Sequence, residues 1–192
     1  MDPSDNISNN SNDGVRIARR KAAIRETKEW VRSIILAVII AVFIRLFLFE
    51  VFLVEGISMN PTLENHERLI VNKSAYYFSE PVMGDIIVFS FSSQRDFIKR
   101  VIAVEGDMVE ITDGRLFVND LGIDEPYIAG YQMPDFGPII VPERHIFVMG
   151  DNRGNSMDSR EPNVGYISIQ SIKGKAVLVF WPPFQGRLLK LG

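Results

Sequence analysis

Seven basic residues crowd the stretch from Arg16 to Arg32 (Arg16, Arg19, Arg20, Lys21, Arg25, Lys28 and Arg32). Directly after them comes the most apolar run in the chain, Ser33-Ile-Ile-Leu-Ala-Val-Ile-Ile-Ala-Val-Phe-Ile-Arg-Leu-Phe-Leu-Phe49. As a helix, Trp30 to Phe49 measures about 30 Å, which matches the hydrocarbon core of a bilayer. The run therefore predicts one transmembrane helix over 31–49. Arg45 sits about one turn from its distal end, where the guanidinium can snorkel to the headgroups while its stem stays in the apolar layer. Basic flanks stay on the cytoplasmic side, so the expectation is a cell membrane crossed once, the N-terminus inside and everything after about residue 50 outside. A cleavable leader would carry a shorter apolar core followed by a small-residue cleavage site. Glu50-Val-Phe-Leu-Val-Glu-Gly56 offers no such site, and the segment reads as a permanent anchor.

Around this anchor the chain divides by texture. Residues 1–14 are Asn, Ser and Asp with almost nothing to bury, so they cannot offset the entropy of ordering and read as a disordered cytoplasmic tail. Residues 15–30 read as a basic juxtamembrane helix. Beyond residue 50, short apolar runs alternate with turn residues, the pattern of an all-β domain over 50–192. Candidate strands are Val51 to Val54, Arg68 to Asn72, Asp85 to Phe91, Phe97 to Val104, Met108 to Thr112, Arg115 to Val118, Ile146 to Met149 and Ala176 to Trp181. Asp113-Gly114 is a two-residue hairpin signal. Residues 119–142, punctuated by Pro126, Gly130, Pro134, Gly137 and Pro138, read as an irregular insertion on this scaffold. The expected fold is mostly β, an irregular barrel-like or sandwich-like domain behind one transmembrane helix.

Composition excludes several chemistries. The 192 residues contain no cysteine, so disulfides, thiol nucleophiles and cysteine-based metal sites are out. Two histidines, His66 and His145, are too few for a histidine-built zinc site. A net charge of −3 supplies no argument for nucleic acid, and none is expected as a partner.

Three segments carry chemistry. Gly56-Ile-Ser-Met-Asn-Pro-Thr-Leu63 follows a strand and ends in a proline-set turn, which can present Ser58 at a fixed corner; an ordinary loop reads the same way. In Asp96-Phe-Ile-Lys-Arg-Val-Ile-Ala-Val-Glu-Gly-Asp107, strand alternation puts Lys99 on the face of Phe97 and Val101. A lysine acts as a base only when neutral, and apolar burial can push its pKa down from about 10.4 by as much as roughly 3 to 5. A strand lysine on a solvated face fits the spacing equally. Gly150-Asp-Asn-Arg-Gly-Asn-Ser-Met-Asp-Ser-Arg160 is a polar loop directly after an apolar strand. It carries more hydrogen-bonding groups than a surface connection needs, lacks the regular acidic ligands and closing Glu of a calcium loop, and holds arginines that would repel a cation.

In this order, behind an N-terminal anchor, the three segments resemble the boxes of bacterial type I signal peptidases of the Ser/Lys kind, and the resemblance covers nearly all of the chain after Val31. It implies that the β domain is a catalytic domain with Ser58 as nucleophile and Lys99 as general base. It implies that Ser156 hydrogen-bonds and aims the lysine amine, that the Ser58 backbone N–H is one oxyanion-hole donor, and that Asp158 and Arg160 form a structural ion pair. Some relatives carry a second donor, a serine, where this chain has Gly56; its place then falls to a backbone group or a water, since losing one such donor costs about 100- to 1,000-fold. The implied partners are the signal peptides of exported preproteins, cut after Ala-x-Ala, the lipid bilayer, and a neighbouring secretion translocon. The implied chemistry needs no metal or cofactor. Ser58 lies about nine residues past the inferred helix, a reach of roughly 30 Å, which keeps the reaction close to the bilayer.

The same residues admit other readings: a dedicated peptidase of the same family, such as a pilin-processing one, a catalytically inactive peptide-capturing membrane protein, or a self-cleaving Ser/Lys repressor, whose N-terminal DNA-binding domain is replaced here by an anchor.

Overall fold

The computed structural model describes residues 28–128, 130–183 and 185–189. The expectations for residues 1–14, and for all but the last three residues of 15–30, lie outside them. The chain divides into two compact units at Leu46/Phe47. Within the first is most of an apolar helix, Lys28–Leu48, long and apolar enough to cross a membrane. Its final turn, Ile44–Leu48, is wound as a π-helix, and every residue from Lys28 to Phe47 is exposed. A helix this apolar has no polar face to offer to water.

The second unit is β. Its strands are β1 (Phe49–Leu53), β2 (Arg68–Asn72), β3 (Ile86–Ser92), β4 (Arg95–Val104), β5 (Met108–Thr112), β6 (Arg115–Val118), β7 (Leu121–Gly122), β8 (Phe136–Ile140), β9 (His145–Met149), β10 (Ile167–Ser168), β11 (Ile172–Trp181) and β12 (Arg187–Leu188). They form an antiparallel sheet in the order β1-β2-β11-β3-β4-β9-β10, with β12 added to β11, and a second sheet, β7-β6-β5-β8.

The apolar run of β3 shows why the large sheet is covered on both faces. Alternate residues of a strand point to opposite sides. Ile86 and Val88 enter one cluster with Val54, Met59, Leu63, Leu69, Val71, Ala176 and Val179, while Ile87 and Phe89 enter another with Val101, Ile146, Val148 and Ile167. A third cluster joins the sheets: Ile102, Ala103, Phe147 and Met149 pack with Val109, Ile111, Leu116 and Val118. The turn between β5 and β6 is the expected two-residue hairpin. Thr112 pairs with Arg115, and Asp113 and Gly114 take φ of 52° and 75°, the left-handed pair a type I′ turn needs.

Residues 119–142 are more regular than their Pro/Gly punctuation predicted. β7 continues the β6 ladder, and β8 pairs with β5. Pro138 lies inside β8, which is tolerated because β8 is an edge strand and a missing N–H there breaks no ladder. Gly137 has φ of 83° beside the register shift between Val109 and Ile111, so the strand bends where only glycine is comfortable. The short strands β10 and β12 lack a periodic sequence signal and exist by pairing with β9 and β11.

Candidate active site

Ser58 lies in the turn following β1, and that turn is held from two sides. Toward the core, Met59 and Leu63 are buried, at 2% and 0% exposure. On its flank, the Asn152 N–H donates to the Ser58 carbonyl at 3.0 Å and the Asn152 carboxamide donates to the Ile57 carbonyl at 3.0 Å. Gly56, with φ of 96°, bends the chain into the turn, and its N–H donates to Asn65 Oδ1 at 2.9 Å.

Lys99 reaches the same point from β4. Its Nζ is 2.7 Å from Ser58 Oγ and 3.1 Å from the Ile98 carbonyl. The residue is 4% exposed, and Nζ lies 5.1 Å from the Phe97 ring centroid. Phe97 and Val101, two positions to either side, share one apolar cluster, in keeping with strand alternation. Burial pushes the amine down from 10.5 to about 8, against the opposing pull of the Asp158 and Asp151 carboxylates. At pH 7 about a tenth of such amines are neutral, against about 0.03% of unperturbed ones.

The Ser58–Lys99 contact sits in a cleft of about 480 Å³ lined on one side by Phe52 to Gly56 and on the other by Gln94 to Ile98, with Met157 between. β9 pairs with β4 only from Arg100 onward, and β1 ends the large sheet, so both walls present strand edges outside any ladder. An extended peptide fits such a slot by adding itself as a strand.

The polar loop behind β9 packs against this pair. Arg160 forms a two-pronged ion pair with Asp158, both distances 2.8 Å, and Asp158 also accepts the Gly150 N–H at 3.0 Å. Lys99 contacts Ser58 and the Ile98 carbonyl; Ser156, expected to aim the amine, has its Oγ buried with no hydrogen-bond partner among the described residues. Its side chain lies against Gly150 beside the Ser58 carbonyl, so close that a Cβ on Gly150 would overlap both. Gly56 is engaged as well: its N–H is already given to Asn65. Neither histidine reaches the pair. The His66 ring meets the Asn65 amide, and the His145 ring meets the Glu143 carbonyl.

Several site residues went unread in the sequence. Arg100, 2% exposed, makes two bonds to the fully buried Asp151, at 2.9 and 2.7 Å, and Asp151 accepts from Thr62 Oγ1 at 2.5 Å. Arg153 is gripped by Glu125. A cue was available for Arg100: on a strand buried across both faces, an arginine needs an acid partner. The partner's identity was not available.

A hydroxyl touching a buried, partly neutral amine, at the head of a cleft with open strand edges, is the equipment of a peptide hydrolase that works without histidine. The family model for signal peptidase, peptidase S26, matches residues 27–181, and the chain belongs to that family. It is 43% identical over 165 residues to a signal peptidase I of Bacillus licheniformis, covering 80% of this chain and 88% of the relative. To signal peptidase I S of Bacillus subtilis (strain 168) it is 41% identical, covering 80% and 89%. A crystal structure of a signal peptidase I from Enterococcus faecalis V583 matches with a TM-score of 0.45 and 31% identity, over 50% of this chain and 97% of that one. In a chain of this family the apolar helix Lys28–Leu48 marks a membrane-anchored protein.

Proposed function

We propose that this protein is a membrane-bound serine endopeptidase that removes N-terminal signal peptides from exported preproteins after Ala-x-Ala sites, with Ser58 as nucleophile and Lys99 as general base. The observation that carries the reading is the 2.7 Å contact between Ser58 Oγ and the buried Lys99 Nζ at the cleft head.

In this mechanism neutral Lys99 accepts the Ser58 hydroxyl proton as Oγ bonds to the scissile carbonyl carbon. The tetrahedral oxyanion receives the Ser58 N–H and a second donor other than the Gly56 N–H. Lys99 then gives its proton to the departing amine as the C–N bond breaks, and later deprotonates the water that releases the acyl group from Ser58. Asp158–Arg160 keeps the polar loop in place and takes no part in proton transfer.

The basic cluster before the helix argues for a cytoplasmic N-terminus and an extracytoplasmic β unit. Lipid contact beyond the anchor is supported by one face of the sheet. Phe49, Val51 and Leu53 on β1 and Trp181 on β11 are 41–57% exposed, and they begin one residue past the helix, where the chain leaves the bilayer. This position also suits a site that receives peptides from a neighbouring translocon.

The test is cleavage of a purified preprotein carrying an Ala-x-Ala site by the full chain in detergent micelles. Wild type cuts at that site, and Ser58→Ala and Lys99→Ala do not. Cleavage by folded Lys99→Ala, or none by folded wild type, overturns the reading.

A further inference from the structure

The 119–142 stretch sends two side chains out of the small sheet's region to the back of the site. Glu125 grips the Arg153 guanidinium with both carboxylate oxygens, at 2.7 and 2.5 Å, and the two side chains are 5% and 0% exposed. Two residues on, the Tyr127 ring lies under the Arg100 guanidinium, 3.8 Å from its centre, and the Tyr127 hydroxyl donates to Glu125 at 2.9 Å. The two handles are thus tied together.

Each handle leads to the Ser58–Lys99 pair in a few rigid contacts. Arg100 directly follows Lys99 on β4 and forks onto Asp151, which takes the Thr62 hydroxyl four residues past Ser58. Arg153 Nε donates to the Gly150 carbonyl at 3.1 Å, and Gly150 is the residue packed against the Ser58 carbonyl and Ser156. Directly after these two held residues comes Asn152, with its two bonds to the Ser58 turn. Gly150 to Asn152 is therefore a wedge pressed onto the nucleophile, and its first two residues, Gly150 and Asp151, are gripped by arginines that the 119–142 stretch covers.

We infer that Glu125 and Tyr127 are positioning residues for the reaction: through Arg153 and Arg100 they set the placement of the Gly150–Asn152 wedge, and with it the distance between Ser58 and Lys99. This rests on the peptidase reading above. The Tyr127 ring contributes by its face, which attracts the Arg100 cation and keeps water from the side of the guanidinium that Asp151 does not occupy. Glu125 contributes by two-pronged geometry, which fixes the Arg153 plane as a single contact would not. Misplacing a reacting group by about 1 Å can cost on the order of 100-fold, so a loosened wedge lowers turnover more than substrate binding.

The experiment compares wild type with Tyr127→Phe, Tyr127→Leu and the double variant Glu125→Leu/Arg153→Met, all as full chains in micelles, reading kcat, KM and the urea midpoint. The double variant exchanges a buried ion pair for apolar side chains, a change that commonly preserves stability, and it removes the hold on the Gly150 carbonyl. Tyr127→Phe, which keeps the ring over Arg100, should stay within about 3-fold of wild-type kcat, whereas Tyr127→Leu and the double variant should lose about 10- to 100-fold with KM within about 3-fold. If Tyr127→Leu does not fold, the double variant and Tyr127→Phe decide the matter. Folded variants with wild-type kcat overturn the inference, as does an equal loss in Tyr127→Phe and Tyr127→Leu. A wild type that leaves the preprotein uncut is a different failure, that of the peptidase reading itself.

Discussion

Replacing the base should make the protein more stable, and by an amount that depends on pH in a defined way. Burial holds the Lys99 amine at about 8 instead of 10.5, a difference of 2.5. At about 1.36 kcal/mol for each pKa unit, the folded state at pH 7 carries a charged amine at a cost of about 3 kcal/mol. Lys99→Met keeps most of the stem and removes the charge. It also removes the contacts to Ser58 and the Ile98 carbonyl, each worth about 1 kcal/mol net. The variant should therefore be inactive yet more stable than wild type by about 1–2 kcal/mol at pH 7. Between pH 8 and 10.5 the unfolded chain binds more protons at this position than the folded one, so wild-type stability rises with pH across that window. The gap between the two proteins is full below pH 8 and shrinks by about 3 kcal/mol on reaching 10.5, where the lost contacts leave the variant the weaker of the two. Urea unfolding of the full chains in micelles, followed by Trp181 fluorescence at pH 7 and pH 10.5, measures it. A variant less stable than wild type at pH 7, or a gap indifferent to pH, refutes the claim that desolvation of Lys99 is what makes it a base.

The same amine should shape the rate. Because the base works only when neutral, kcat/KM should climb with pH through an apparent pKa of about 8 and fall about tenfold per unit well below it; a profile flat from pH 6 to 9 removes Lys99 from the role. Gly150→Ala places a methyl on the Ser58 carbonyl and Ser156, and should lower cleavage by about 100-fold or more while far-UV circular dichroism is unchanged; normal activity would show that the wedge can yield. Arg187 covers the buried Glu67 carboxylate with bonds of 2.7 and 2.8 Å and donates to the Thr62 carbonyl. Arg187→Ala should cost about 2–3 kcal/mol in urea unfolding, and an unchanged midpoint would mean that solvent replaces the arginine at no cost.

What could be read from the sequence was whatever depends on neighbours along the chain. Helical length and sustained apolarity placed the apolar helix within a few residues of Lys28–Leu48. Short apolar runs bounded by turn residues delimited β2, β5 and β6 at the residues observed, and Asp113-Gly114 announced its hairpin because φ above zero is a local demand. Three short segments, each ambiguous alone, pointed by their order and resemblance to Ser58 and Lys99.

Tertiary structure decided what depends on partners far apart in sequence. β8 carries Gly137 and Pro138, which locally argue against a strand, and forms because β5 supplies a ladder and an edge position forgives the proline. Ser156 packs on Gly150, a contact that no motif announces, since a side chain's neighbours follow from how two loops fold together. Above all, the sequence shows that Arg100 and Arg153 are present but not that Asp151, Glu125 and Tyr127 neutralise or cover them. A buried charge must find an opposite one, yet which of many acids it meets is settled only when the chain closes and the desolvation of each is offset in place.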